Sequence, residues 1–179
     1  GEYSTNPVFQ IVAGDAFRKV GRHDMAVDAY ENAVSERNSR KFPYLVNTSH
    51  YLLGHVYYEK NAFEEAIGAY QKAVERARQI TENKESVYAW GMFKQGECYE
   101  ILGNRKTAEI LYNKIKKSHN KHAHKKAQQR LKRPLRRADA EMIRARNFLI
   151  TRDYASALEV YDSLSVRLAE NDQEYPSIK

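Results

Sequence analysis

Four segments of the chain share one spacing, and a chain repeating in this way can fold into little besides a stack of like units. AGDAFRKVGRHDMAVDAYENAV, LGHVYYEKNAFEEAIGAYQKAV and QGECYEILGNRKTAEILYNKIK align without a gap. Each carries a glycine with an aromatic three residues on: Gly14 and Phe17, Gly54 and Tyr57, Gly96 and Tyr99. Each then carries an alanine, an aromatic four later and an apolar residue three beyond that. These are Ala26, Tyr30 and Ala33; Ala66, Tyr70 and Ala73; Ala108, Tyr112 and Ile115. A weaker fourth copy, ARNFLITRDYASALEVYDSL, supplies Ala145, Phe148, Ala157, Tyr161 and Leu164. In all four the small residue precedes the key alanine by twelve positions.

Steps of three and four place these residues on one stripe of a helix, so each copy predicts a helix–turn–helix. Small residues let two helices approach, and the aromatics fill the space between pairs. Gly21, Asn61 and Gly103 fall between the two helices, where a left-handed residue ends the first one. Arg152 stands there in the fourth copy. At the front, Asn6 and Pro7 read as an N-cap and a first helical residue.

These residues resemble the tetratricopeptide repeat, over roughly residues 7 to 171. The resemblance implies an all-α fold, an α-α superhelix: a right-handed solenoid of antiparallel helix pairs. We expect one domain over 1–179, with repeats at about 7–40, 47–80, 89–118 and 138–171. The chain departs from the family pattern in lacking the closing proline after Ala33, Ala73 and Ile115. Its periods are also long: 40, 42 and 49 residues between successive key alanines, against about 34 in the usual repeat. That is similar to the longer-repeat subclass of kinesin light chains and cell-polarity adaptors. In the first two junctions, NSRKFPYL and ITENKESV predict helix extensions with a longer turn.

The third junction holds most of the run KIKKSHNKHAHKKAQQRLKRPLRR, residues 114–137, with eleven Lys or Arg and no acid. Without those eleven, nineteen basic residues face twenty-three acidic ones, so the net charge of +7 is a local property. Within 119–137, Ala123, Ala127 and Leu131 step by four and predict a spacer helix with a narrow apolar stripe. Pro134 either ends it or opens the next helix. The solenoid is expected to change direction here. Most of the charge reads as the solvated face of this helix. Lys121, Lys125, Arg130, Lys132 and Arg133 are the candidates for an anion: an acidic partner, nucleic acid or an anionic surface. Nucleic acid is the secondary reading, and because the run has no aromatic to stack on bases, such binding would be indifferent to sequence.

An enzyme needs convergent activated groups, and there is no P-loop, G-x-S-x-G, H-E-x-x-H or Cys–His pairing in the chain. Cys98 reads as a small packed residue. His119 and His122 can share a helix face, but with eleven cations and no acid around them a dication would be repelled. No metal, cofactor or catalytic residue is expected. A single cysteine forms no internal disulfide, which suits the cytoplasm, and no apolar run is long enough to span a bilayer. Gly1 stands where Met would start a chain and NDQEYPSIK reads as frayed with no capping helix after it. We therefore expect a fragment of a longer protein, extracytoplasmic or membrane-tethered if a signal or anchor lies upstream, or else an end that self-associates through the C-terminal repeat.

The family resemblance implies a non-catalytic scaffold for a protein or peptide partner, held in the concave groove lined by the first helix of each pair. The matching positions are Val8, Ile11, Asp15 and Arg18; Tyr51, His55, Tyr58 and Glu59; Trp90, Phe93, Glu97 and Glu100; Asp139, Met142 and Arg146. Tyr51, His55, Tyr58, Trp90, Phe93 and Glu97 form the expected partner site, since large aromatics anchor interfaces at little entropic cost. The acids beside them suggest a partner with Lys or Arg among apolar residues. The Lys/Asn clamp by which chaperone-binding members hold a C-terminal carboxylate is not matched, because Ile11, Asp15 and His55 stand at its places.

Overall fold

The computed structural model describes residues 6–77, 84–115 and 120–174. These form ten helices and no strand among the described residues. Three antiparallel pairs come first: α1 (Pro7–Lys19) with α2 (His23–Ala33), α4 (Pro43–Glu59) with α5 (Phe63–Ala77), and α6 (Lys84–Ile101) with α7 (Arg105–Ile115). The helices α1, α4 and α6 touch one another in sequence and approach more closely than α2, α5 and α7 do, so the stack curves toward them. The all-α helical repeat read from the spacing is the architecture of the protein.

The repeated residues form the joint within each pair. Ala26, Ala66 and Ala108 are fully buried, as are Tyr30, Tyr70 and Tyr112. Each tyrosine ring lies flat under the glycine of the preceding helix. A Cβ built on Gly14, Gly54 or Gly96 would come within 2.5 Å of that ring. Only a residue without a side chain lets helix and ring meet there. The turns are alike as well. Gly21, Asn61 and Gly103 adopt φ of 77°, 59° and 82°, and Arg152 follows them at 63°. In each copy the next residue's N–H reaches back to the carbonyl of the signature aromatic, Phe17, Tyr57, Tyr99 or Phe148, at 2.7–2.9 Å. That bond closes the same helix-ending motif four times, the last without glycine.

The junctions differ from simple extensions. The first holds a separate short helix, α3 (Glu36–Lys41), begun by Ser35, whose side chain accepts from Asn38 N–H. Asn38 is buried and donates to the carbonyl of Ala33 at 3.2 Å. The middle of the second junction, residues 78–83, lies outside the described residues. In the third, Asn120 caps α8 (Lys121–Lys132), which buries Ala123 and Ala127 against Met92, Phe93, Tyr112 and Ile115, with Leu131 partly buried beside them. Pro134 follows α8 and stands three residues before α9 (Arg137–Ile150), so it ends the spacer helix and does not open the next one.

The fourth pair, α9 and α10 (Tyr154–Glu174), does not extend the row of α1, α4 and α6. Instead α9 runs back along the turns of the first three. Ala140 packs with Ile101 of the third pair. Asn147 Nδ2 donates to the Tyr58 carbonyl at 2.7 Å and to Asn61 Oδ1 at 2.9 Å, both of the second. Asn61 Nδ2 returns a bond to the Arg144 carbonyl at 3.1 Å. The Arg152 side chain and the Ile150 carbonyl reach Gly21 of the first pair. The change of direction expected at the basic junction is this return. The helix α10 packs on α9 and leaves Tyr154, Leu158 and Val166 exposed. The expectation for NDQEYPSIK falls largely outside the described residues: α10 reaches Glu174, and 175–179 are not described.

Alanine at Gly54 should lower unfolding stability by about 2 kcal/mol, because the ring beneath it cannot withdraw from a packed core. Alanine at Gly68, on the exposed face of α5 with nothing within 4 Å of a new Cβ, should raise it by about 0.5–1 kcal/mol. Urea unfolding followed by circular dichroism reads both signs.

Candidate functional site

The six expected partner residues share the inner layer. Tyr51, His55 and Tyr58 lie on α4; Trp90, Phe93 and Glu97 lie on α6. Tyr51 and His55 meet edge to face with centroids 4.6 Å apart, and both rings contact Tyr70 at 5.6–5.7 Å. Trp90 and Phe93 meet edge to face at 5.7 Å. Phe93 is only 4% exposed and belongs to the core, whereas Trp90 is partly exposed above it. Lys94 joins the two helices, with its ammonium 4.8 Å from the Tyr58 centroid and 2.7 Å from Glu97 Oε2.

The acids of this face are satisfied from within. Glu97 is buried, and its second oxygen accepts from Arg130 Nη2 of α8 at 3.0 Å. Burial disfavours its charge, yet Lys94 and Arg130 outweigh that and hold the carboxyl below its ordinary value. Glu100 is buried and accepts from Arg105, from Tyr112 Oη at 2.8 Å and from Leu135 N–H at 3.1 Å. Glu59 takes Arg18 Nε at 3.1 Å and faces His23 Nε2 at 3.2 Å, and Asp15 accepts from Tyr30 Oη at 2.6 Å. The expectation of a basic partner, drawn from Glu97 and Glu100, therefore loses its ground: those charges already have cations and donors of this chain.

Burial shifts the neutral groups. It pushes Tyr51 up to about 12, with Glu97 adding to the effect, and raises Tyr58. It pushes His55 down to about 3, with Lys94 and Arg18 also disfavouring a second proton, and His50 down to about 4. Burial likewise raises the Cys98 thiol, which sits inside α6. The Tyr70 hydroxyl is buried with no hydrogen-bond partner among the described residues. Its counterparts Tyr30 and Tyr112 find Asp15 and Glu100; the matching places in the second copy are His55 and Tyr58.

Of the residues expected to meet an anion, Lys121, Lys125, Lys132 and Arg133 are exposed on or just after α8. Arg130 is not, because it turns inward to Glu97, and its own carbonyl accepts from Arg105 Nη2 at 3.2 Å. Three residues of each predicted set meet in one cleft of ≈670 Å³ between α6 and α8, while Tyr51, His55, Tyr58, Lys121 and Lys125 do not line it. Trp90, Phe93, Lys94 and Glu97 line one side and Lys126, Gln129, Arg130, Lys132 and Arg133 the other. Three of these the sequence reading missed: Lys94, which the spacing places beside Phe93, Lys126 and Gln129. The fourth-copy positions end differently. Asp139 pairs with Arg136, and Met142 and Arg146 are exposed on α9.

Among the described residues no three His, Cys, Asp or Glu gather where a metal could be held, and His119 lies outside them. No helix among them is long and apolar enough to cross a membrane. The curved stack and its inner-layer cleft define the class, a helical repeat protein. The tetratricopeptide repeat model matches residues 11–79, which cover most of the first two helix pairs. Such domains generally mediate protein–protein interaction. No curated protein matches the chain significantly.

Replacing Arg130 by alanine leaves Glu97 buried with Lys94 alone, and should cost about 2 kcal/mol. Hydrogen exchange should then speed in α8 before it does in α4. A second expectation concerns acid. The unfolded imidazoles take a proton near 6.5, but folded His50 and His55 resist it to about 4 and 3. The unfolded state binds more protons in between, so stability tied to these neutral rings is complete above 6.5 and declines as pH falls. Urea midpoints measured downward from neutral pH should fall, and fall less in His55→Gln.

Proposed function

We propose that the protein is a non-catalytic scaffold that holds a peptide or helix of a partner against the inner layer of α4 and α6, through Tyr51, His55, Tyr58, Trp90, Phe93 and Glu97. One observation carries the reading: a partly exposed Trp90 stands over a buried aromatic floor at a cleft large enough for several side chains. Aromatic rings in a half-formed pocket are the usual energetic centres of an interface. The tetratricopeptide repeat match over residues 11–79 supports it, since such repeats generally mediate protein–protein interaction. The pairing of polar groups around the face supports it too, because a rigid, internally satisfied wall loses little freedom on binding.

Phage-displayed peptides selected on the intact protein test this. Selected peptides should lose about a hundredfold in affinity on the double variant Tyr58→Ala and Trp90→Ala, as expected when two anchors are removed. Selected peptides that bind the double variant unchanged would place the partner surface elsewhere.

A further inference from the structure

We propose that the cleft between α6 and α8 docks an acidic peptide segment with an apolar side chain among its carboxylates. The inference rests on the reading of the protein as a peptide scaffold and names the chemistry of the partner.

The charge balance of the cleft carries it. Among the described residues Glu97 is the only acid lining it, and Lys94 and Arg130 already neutralise that carboxylate. Lys126, Lys132 and Arg133 remain; they are exposed, and no side-chain hydrogen bond or ion pair engages them within the described residues. A second depression of ≈370 Å³ adjoins the same tryptophan and is lined by Trp90, His122, Lys125, Lys126 and Gln129, again without an acid. An apolar side chain seated on Trp90 thus has unpaired cations to both sides along α8. Carboxylates flanking it would meet those cations at a partly desolvated rim, while a basic segment would be repelled. Nucleic acid is less well matched, because the cleft offers one exposed ring where a strand of bases needs a series of them.

The cations are held in place by the fold. Ala123 and Ala127 are buried against α6 and α7, and Arg130 is tied to Glu97, so the register of α8 on α6 is set and Lys126 is directed to the cleft. This site comes from the inserted helix and is distinct from a clamp formed by the repeats themselves.

Trp90 is the only tryptophan of the chain, so its emission reports directly on the site. Three probes are titrated: a tryptophan-free peptide of Glu and Leu, a matching peptide of Lys and Leu, and single-stranded oligothymidylate. The Glu–Leu peptide should change the emission saturably and the Lys–Leu peptide should not. The triple variant Lys126→Glu, Lys132→Glu, Arg133→Glu should weaken the Glu–Leu peptide by about tenfold or more. Reversing three exposed lysines elsewhere, Lys19, Lys106 and Lys114, should leave it bound, and circular dichroism should show both variants equally helical. If the Lys–Leu peptide saturates and the Glu–Leu peptide does not, the acidic partner is wrong while the scaffold reading stands. If oligothymidylate binds as tightly as the Glu–Leu peptide and is lost in the same variant, the site takes any polyanion and the proposal fails. If no probe changes the emission while display-selected peptides still bind through Tyr58, the groove is real and this cleft is not its centre. If display yields no binder either, both readings fall.

Discussion

Each of the first three pairs depends on a tyrosine ring lying directly beneath a glycine of the neighbouring helix. The Cβ–ring distance of 2.5 Å that any larger residue would create at Gly14, Gly54 and Gly96 shows how close the two helices are. This contact sets the spacing within a pair, and through it the position of the next pair, which packs on the same rings. Tyr70 is the clearest case: it lies under Gly54, and its ring also supports Tyr51 and His55 on the inner face. The core and the candidate site therefore meet at this ring. A packed interior transmits displacement rather than absorbing it, so the shape of the groove follows from the joint.

The second determinant is electrostatic. Four inner-layer acids, Asp15, Glu59, Glu97 and Glu100, sit where solvent or a ligand would otherwise compensate them. Each is compensated by the chain. Two of those compensations come from after the third pair: Arg130 reaches Glu97, and the Leu135 amide reaches Glu100. The basic run is thus partly structural. One of its arginines completes a buried network, and the lysines among its described residues are left exposed. A buried carboxylate without such partners would be costly, and truncating one member exposes that cost.

Much of the fold was legible because it repeats. The Gly–aromatic and Ala–aromatic spacings marked both helices of each pair, the turns between them, and the stripe by which α8 attaches. Arg152 shows the limit of that signal: it takes the same left-handed turn as Gly21 and Gly103 with no glycine to announce it, because the helix-ending bonds of the fourth copy hold it there. The candidate site was legible in its residues more than in its character. Tyr58, Trp90 and Glu97 were marked by position, but whether Glu97 would be free for a partner depended on Arg130, thirty-three residues away in the chain. Asn147 carried no signal at all, though it ties α9 to the turn between α4 and α5 across 86 to 89 residues.

The amino-acid sequence by itself determined the unit: a helical pair, its tight joint, its turn and the spacer helix. Those are local periodicities, and a period of three to four residues specifies which side of a helix must be buried. Only the tertiary structure decided how the units meet. It turned α9 back along the three turns instead of adding it to the row, assigned Arg130 to a buried acid, and left Lys126, Lys132 and Arg133 beside Trp90. These outcomes rest on contacts between residues far apart in the chain, where geometry and charge compensation choose among arrangements that the local pattern permits equally.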